Sequence, residues 1–384
     1  MKIEIAKDDL CAALKVASLT VGSGSDLSSH YLFRALPDDG PSFEVLSYDM
    51  RVFSRAPLGG ASGDVLPESR NAFTVEAWRL DKWVSSVGDG VLTLASDGNG
   101  SVVAKGPRSK IKLRSLDPSK FPYWDGLLGN AQEVGAVDPD LLSRALNLSQ
   151  YFVSTDDTSR PEICQTEATE GVLQATNRRA VSSIKVRALP ALNLRISGKD
   201  LPAVLRFLGD KNTQGSEVVV QEASRSEGAG SCSIFLRPDG SYIGVSRPTA
   251  TMPKLDVEPE ETPSNIVLNV DEFSGAIDVL LASAPKGHQA VTFQAQDGAL
   301  VLSMPSEAGG DDMYPLVQST ETELGDTSFS FDYGYVRSIA DLFDLDSVTF
   351  GVHPRKRGGY VSFSHEDAEE NDGNQYYTVI VWRT

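Results

Sequence analysis

The chain has 384 residues, 40% of them hydrophobic and 23% charged, which suits two or three globular domains and excludes a disordered polymer. Its formal net charge of −18 excludes a protein that coats nucleic acid with its whole surface, since phosphate contact needs Lys and Arg. One basic surface inside an acidic envelope stays compatible with it.

Cys11, Cys164 and Cys232 are far apart and have neither zinc nor redox spacing, so reduced, buried thiols are expected. The N-terminus carries acids early and lacks the apolar core of a signal peptide. No apolar run approaches the ~18 residues of a membrane span. A soluble, cytoplasmic protein without a membrane partner is expected.

In chain order, Asp8-Asp9-Leu10 opens a helix with Leu10, Ala13, Leu14 and Ala17 on one face. Short strands follow at Phe43–Val45 and Arg51–Phe53. The apolar spacing of Leu80, Trp83, Val84 and Val87 predicts a second helix over 77–87. Strands at 91–94 and 101–103 flank the turn Asp97-Gly98-Asn99-Gly100, and Ile111-Lys112-Leu113 alternates like a half-buried strand.

Gln132–Val137 reads as a linker. Asp138-Pro139-Asp140 then opens another helix, with a partner over 199–208 and strands at 218–220, 233–235 and 242–245. The Pro-rich, acidic stretch 258–263 reads as a second linker. A third pair of helices starts at Asp271 and spans 333–343, and strands follow at 348–350, 360–363 and 376–382. Each first helix has an acidic start, and the starts lie about 130 residues apart, a single-domain length.

The pattern predicts an α+β fold of three repeated modules, 1–133, 134–260 and 261–384. Each has two helices packed on antiparallel sheets, and each splits into two similar halves. The helices carry more cations than the acidic chain as a whole: Lys7, Lys15, Arg79, Lys82, Arg144, Lys199, Arg206 and Arg337.

Four stretches then carry a family resemblance: Ser109–Leu116 with Phe121-Pro122, Ser154–Pro161, Thr169-Glu170-Gly171 with Ala175–Arg179, and Phe331–Val336. Ser246-Arg247-Pro248 with Met252-Pro253 adds a weaker fifth. Together, in order and across essentially the whole chain, they resemble the bacterial sliding clamp, the β subunit of DNA polymerase III. The resemblance implies half of a ring, closed by a head-to-tail homodimer, with helices lining the hole and sheets outside. It implies duplex DNA as the encircled, non-sequence-specific partner, with a replicative DNA polymerase and a clamp loader as protein partners.

Site residues follow from the same resemblance. Arg79, Lys82, Arg160, Lys199, Arg206 and Arg337 are the candidate DNA-facing cations. Ile111 and Leu113 mark the edge strand expected at the dimer interface. Arg179, Ala180, Val181, Pro253, Leu255, Ile380, Val381 and Trp382 are the candidate pocket for partner peptides. Two departures stand out. The chain ends Ile380-Val381-Trp382-Arg383-Thr384 where the family commonly ends Met-Pro-Met/Val-Arg-Leu, and Arg178 replaces a Gly-His, with Ala180 where Leu is usual.

His30, His288, His353 and His365 lack metal-ligand spacing, and no nucleophile or phosphate-loop motif appears. No catalytic residue, metal or cofactor is therefore expected. A β-rich adaptor that forms no ring is the alternative to a clamp.

Overall fold

The computed structural model describes residues 1–24, 26–36, 42–64, 71–122, 128–154, 160–185, 192–211, 215–224, 230–255, 265–296, 299–317, 328–343, 345–354, 359–366 and 375–382. It describes the backbone alone for 265, 342–343, 352–361 where covered, and 363–382 where covered.

Among the described residues the elements fall into six successive β-α-β-β-β groups. The first is β1 (Lys2–Ala6), α1 (Lys7–Ala17), β2 (His30–Leu36), β3 (Ser42–Asp49) and β4 (Val52–Pro57), followed by the short β5 (Ser62–Asp64). The second is β6 (Ala72–Glu76), α2 (Ala77–Ser86), β7 (Val91–Ser96), β8 (Ser101–Gly106) and β9 (Ser109–Arg114). The third is β10 (Gln132–Val137), α3 (Pro139–Gln150), β11 (Gln165–Thr169), β12 (Val172–Thr176) and β13 (Ala180–Lys185). The fourth is β14 (Leu194–Ser197), α4 (Leu201–Leu208), β15 (Val218–Ser224), β16 (Ser231–Leu236) and β17 (Tyr242–Ser246). The fifth is β18 (Asn265–Asn269), α5 (Val270–Leu281), β19 (Ala290–Gln296), β20 (Ala299–Pro305) and β21 (Asp311–Leu316). The sixth is β22 (Ser328–Asp332), α6 (Gly334–Phe343), β23 (Ser347–Pro354), β24 (Gly359–Glu366) and β25 (Gln375–Trp382).

The groups interlock in pairs. Each leading strand leaves its own group and pairs antiparallel with the sibling group: β1 with β7 and β6 with β2, β10 with β15 and β14 with β11, β18 with β23 and β22 with β19. A half cannot complete its sheet without its sibling, because an unpaired strand leaves backbone donors and acceptors unsatisfied.

The chain forms two compact units. The first comprises residues 1–140 and 202–247, and the second 141–201 and 248–384. In the first, the sheet orders are β5-β1-β7-β8-β9 and β10-β15-β16-β17-β4-β3-β2-β6. In the second they are β14-β11-β12-β13-β25-β24-β23-β18 and β21-β20-β19-β22. Each eight-stranded sheet is two four-strand sets joined antiparallel through their last strands, β17 with β4 and β13 with β25. Two last strands, β9 and β21, end their sheets with no neighbour on the outer side among the described residues.

The helices form where the apolar spacing predicts. α1 buries Leu10, Ala13, Leu14 and Ala17 and carries Asp8 and Asp9 in its first turn and Lys15 in its last, as the helix dipole favours. Its N-cap is Ala6, without a side-chain bond, so the acids act through charge there. By contrast, Asn269 caps α5 by accepting from the Glu272 amide, and Asp138 accepts from the Asp140 amide ahead of α3. Lys7 donates to the Val87 carbonyl at 2.7 Å and so closes the C-terminus of α2.

In the first unit Leu32, Leu46, Tyr48, Phe53, Phe121, Ile234 and Tyr242 pack as one cluster, and Trp83 ties α2 to β9 through a bond to Ser109 at 3.1 Å. Glu44, fully buried, is held between Arg34 and Arg55, which keeps its charge paired on the sheet. In the second unit the ring of Phe293 lies 4.6–6.0 Å from those of Phe273, Phe329, Phe331 and Phe350. Truncating such a ring to Ala costs on the order of 3–5 kcal/mol.

One expectation is corrected. Gln132–Val137 is not a linker but strand β10, paired with β15 across a bulge between Glu133 and Gly135. Its polar start and its glycine hide the strand, whose pairing partner lies far along the chain. The linker read at 258–263 falls outside the described residues. Cys164 and Cys232 are buried, Cys11 only half so, and all three are free thiols. No helix among the described residues is long and apolar enough to cross a membrane.

Candidate nucleic-acid and partner-binding surfaces

The predicted cations do not share one environment. Lys82 and Arg206 are exposed on α2 and α4. Arg79 is half exposed, stacks 5.1 Å from the Trp78 ring centroid, and pairs with Glu76 at 3.0 Å. Trp78 itself is 56% exposed, an unusual position for so large a ring. Arg160 is exposed beside Pro161, and its carbonyl accepts from the Cys164 thiol. Lys199 precedes α4, which begins at Leu201 with Pro202 in its first turn, where the missing amide is harmless. Lys199 lines a cavity of about 400 Å³ with Gln150, Val153, Ser154, Cys164, Ser197 and Gly198.

Arg337 differs from the others. It reaches from α6 to Asp278 on α5 at 3.0 Å, with Asp341 at 4.0 Å. α5 carries Asp271, Glu272 and Asp278 and no Lys or Arg, so the helical surface is cationic on α2 and α4 and acidic on α5. The cations named from the sequence include none on α5, whose acids set its sign.

On β9, Leu113 is 2% exposed and belongs to the core, while Ile111 is half-buried. Neither offers a protruding contact. Lys110, Lys112 and Arg114 face outward instead, with Lys112 lying 3.2 Å from Asp97. The other free edge has the opposite sign: β21 carries Asp311 and Asp312, and Pro315 sits within it, as edge strands tolerate.

Part of the candidate peptide pocket lies in the second unit at the β13·β25 junction. Ile380 stands opposite Ala180, and Val381 and Trp382 continue past the start of β13 against Tyr360 and Gly359 of β24. Ala180 is buried, Val181 and Leu255 are half-buried, and Arg179 and Pro253 are exposed. The 250–252 segment is fixed to β11, since Gln165 donates to the Ala250 carbonyl at 2.9 Å and Met252 to Glu167 at 3.4 Å. Glu167 in turn pairs with Arg195 at 2.9 Å.

The turn into β13 is over-determined. Asn177 Oδ1 accepts from the amides of Arg179 and Ala180 at 3.0 and 2.9 Å, Thr176 donates to the Ala180 carbonyl, and the Arg178 amide donates to Thr176 Oγ1. This web holds Arg178 at φ 75, a left-handed conformation that costs a non-glycine residue about 1 kcal/mol or more. Asn177 Nδ2 also donates to the Tyr335 hydroxyl at 2.9 Å, and Tyr335 stacks on Phe152. Burial pushes the Tyr335 hydroxyl up; it also pushes Asp332 up, against the nearby Gly334 amide and Arg179.

Six groups of this kind, with sibling halves trading their leading strands, are matched over the full chain by solved structures. The DNA polymerase sliding clamp of Bacillus subtilis superposes with a TM-score of 0.81 at 16% identity, covering 100% of this chain and 99% of that one. The protein has the sliding-clamp fold. The Caulobacter crescentus sliding clamp agrees, with a TM-score of 0.80 at 18% identity and full coverage of both chains. A beta sliding clamp of Rickettsia bellii is 21% identical over 363 residues, 91% of this chain and 92% of that protein. No protein-family model matches the chain. Asn177, Met252 and Tyr335 lie in stretches that carried the resemblance, but sequence reasoning did not name them as site residues. An Asn followed by two arginines between short strands was the available signal for an Asx turn.

Proposed function

We propose that this protein is a DNA sliding clamp: two copies close a ring around duplex DNA and tether a polymerase. The observation that carries this reading is the pair of free last strands. Inside the chain, last strand meets last strand twice, at β17·β4 and β13·β25. β9 and β21 are the two that lack such a mate among the described residues, and one edge is basic while the other is acidic.

Joining β9 of one copy to β21 of the next repeats the same junction in trans and leaves no free last strand when two copies close head-to-tail. Like-charged edges oppose β9–β9 and β21–β21 pairing. The ring would comprise six copies of a two-group module, with modules bounded near residues 133 and 260.

A topological tether suits an acidic chain, because retention then needs no strong phosphate contact. Arg79, Lys82, Arg160, Lys199 and Arg206 would supply a loose, salt-sensitive attraction. The β13·β25 junction would hold short peptides of the polymerase and of a clamp loader, with Pro253, Leu255 and the Ile380–Trp382 end around it. The names and full-length similarity of the Rickettsia, Bacillus and Caulobacter proteins support this reading over a ring-less adaptor.

The test is retention on DNA. Protein loaded on nicked circular plasmid should co-elute with it in high salt and be lost once the plasmid is linearised. Equal loss from circles and linear molecules would count against encirclement.

A further inference from the structure

We infer that the junction between β13 and β25 selects acidic peptides, and that Arg178 is the residue that sets this preference. The inference rests on the reading of that junction as a peptide-docking site.

Arg178 is exposed, and among the described residues its guanidinium makes no hydrogen bond or ion pair. Its backbone is held at φ 75, where glycine would be relaxed and arginine is strained. Four bonds through Thr176, Asn177 and Ala180 maintain that conformation. A strained, solvent-facing cation gains the fold nothing visible, and strain over-determined by its surroundings points to a role in binding.

The neighbouring charges agree. Arg179, next in the turn, is also exposed, and its charge is felt at the Asp332 carboxyl. Glu167, an acid on the β11 segment below, is already held by Arg195. Two adjacent exposed cations, Arg178 and Arg179, therefore form the rim of this turn on a chain of net charge −18, which otherwise repels acidic partners. A peptide with apolar anchors and an Asp or Glu beside them matches such a rim, and the same rim disfavours basic peptides. Arg178 acts here as a specificity-determining contact, with Asn177 positioning it.

The experiment pans a random displayed peptide library on the full chain, on Arg178→Gly and on Lys185→Gln. The last variant removes one exposed positive charge from the other end of β13. The full chain and Lys185→Gln should enrich apolar peptides with an acid at a fixed offset, and Arg178→Gly should keep the apolar residues and lose the acid. A selected peptide should bind Arg178→Gly about fivefold more weakly, and its Asp→Asn twin should show no further loss on that variant.

Arg178→Gly releases backbone strain, so its melting temperature should not fall; Arg178→Asn, which also tolerates the left-handed region, repeats the test if it does. Apolar peptides enriched without acidic bias, or the same bias on Arg178→Gly, would overturn the inference while leaving the docking site standing. Enrichment of no peptide at all would overturn both.

Discussion

Asn177 and Tyr335 are joined by a 2.9 Å hydrogen bond that links the turn before β13 to the start of α6. The Asn side-chain oxygen also holds the Arg179 and Ala180 amides. Asn177→Ala should therefore release the turn and lower stability by about 1–2 kcal/mol. Tyr335→Phe should lose less, because the Phe152 stack survives it. Chemical denaturation of the two variants checks the order; equal losses would show that the turn does not depend on Asn177.

The free edges make a reciprocal prediction. Lys110→Glu with Arg114→Glu should raise the dimer dissociation constant about tenfold or more, and Asp311→Lys with Asp312→Lys in the same chain should restore association. Lys112 is left in place because it already faces Asp97. Sedimentation at two salt concentrations would read it. Weakening without restoration would place the interface elsewhere.

For DNA, the salt slope is the discriminating quantity. Replacing Lys82 and Arg206 with Ala should reduce the dependence of loading on salt by roughly one for each phosphate that is no longer neutralised. Arg337→Ala should change it little, because Asp278 already neutralises that guanidinium at 3.0 Å. The reverse ranking would mean that α6, not α2 and α4, meets the phosphates.

The six helices were legible because of their apolar stripes with a 3.6-residue period, and the first of each pair also because of acids in its first turn. The leading strands were much less so. β1, β6, β10, β14, β18 and β22 have 4–6 residues each, and their pairing partners belong to the sibling group, so no local pattern announces them. The candidate site was legible as a set of segments, through the Ala175–Arg179 and Met252-Pro253 stretches. Its geometry was not: nothing local tells that Arg178 is left-handed or that Tyr335 reaches Asn177 from 158 residues away. Likewise, the pairing of Arg337 with Asp278 joins two helices and is invisible along the chain.

Buried His30 and half-buried Asp81 predict opposite pH effects. Burial holds His30, 3% exposed, below its ordinary 6.5. The folded state thus favours neutral His30, so its contribution is fully present above 6.5 and is lost as pH falls from there through the lower folded-state value. Thermal melts should show the decline from pH 7 to 5, and His30→Gln should flatten it. An unchanged slope would remove His30 as the cause.

Asp81 accepts from the Tyr31 hydroxyl at 2.8 Å, yet burial outweighs this bond and raises its carboxyl above the ordinary range. Its protonated form is favoured, and that stability is lost as pH rises through the raised value. Asp81→Asn keeps an acceptor for Tyr31 without the charge. It should melt about 2 °C higher at neutral pH, with the gain shrinking toward pH 4. A lower melting temperature at neutral pH would contradict this.

The most direct test of the central claim is single-particle imaging of the purified protein at micromolar concentration. Closed rings of two 41.3 kDa copies, with a continuous rim of sheet and an open centre, are the predicted result. Monomers, or dimers without a central hole, would contradict it.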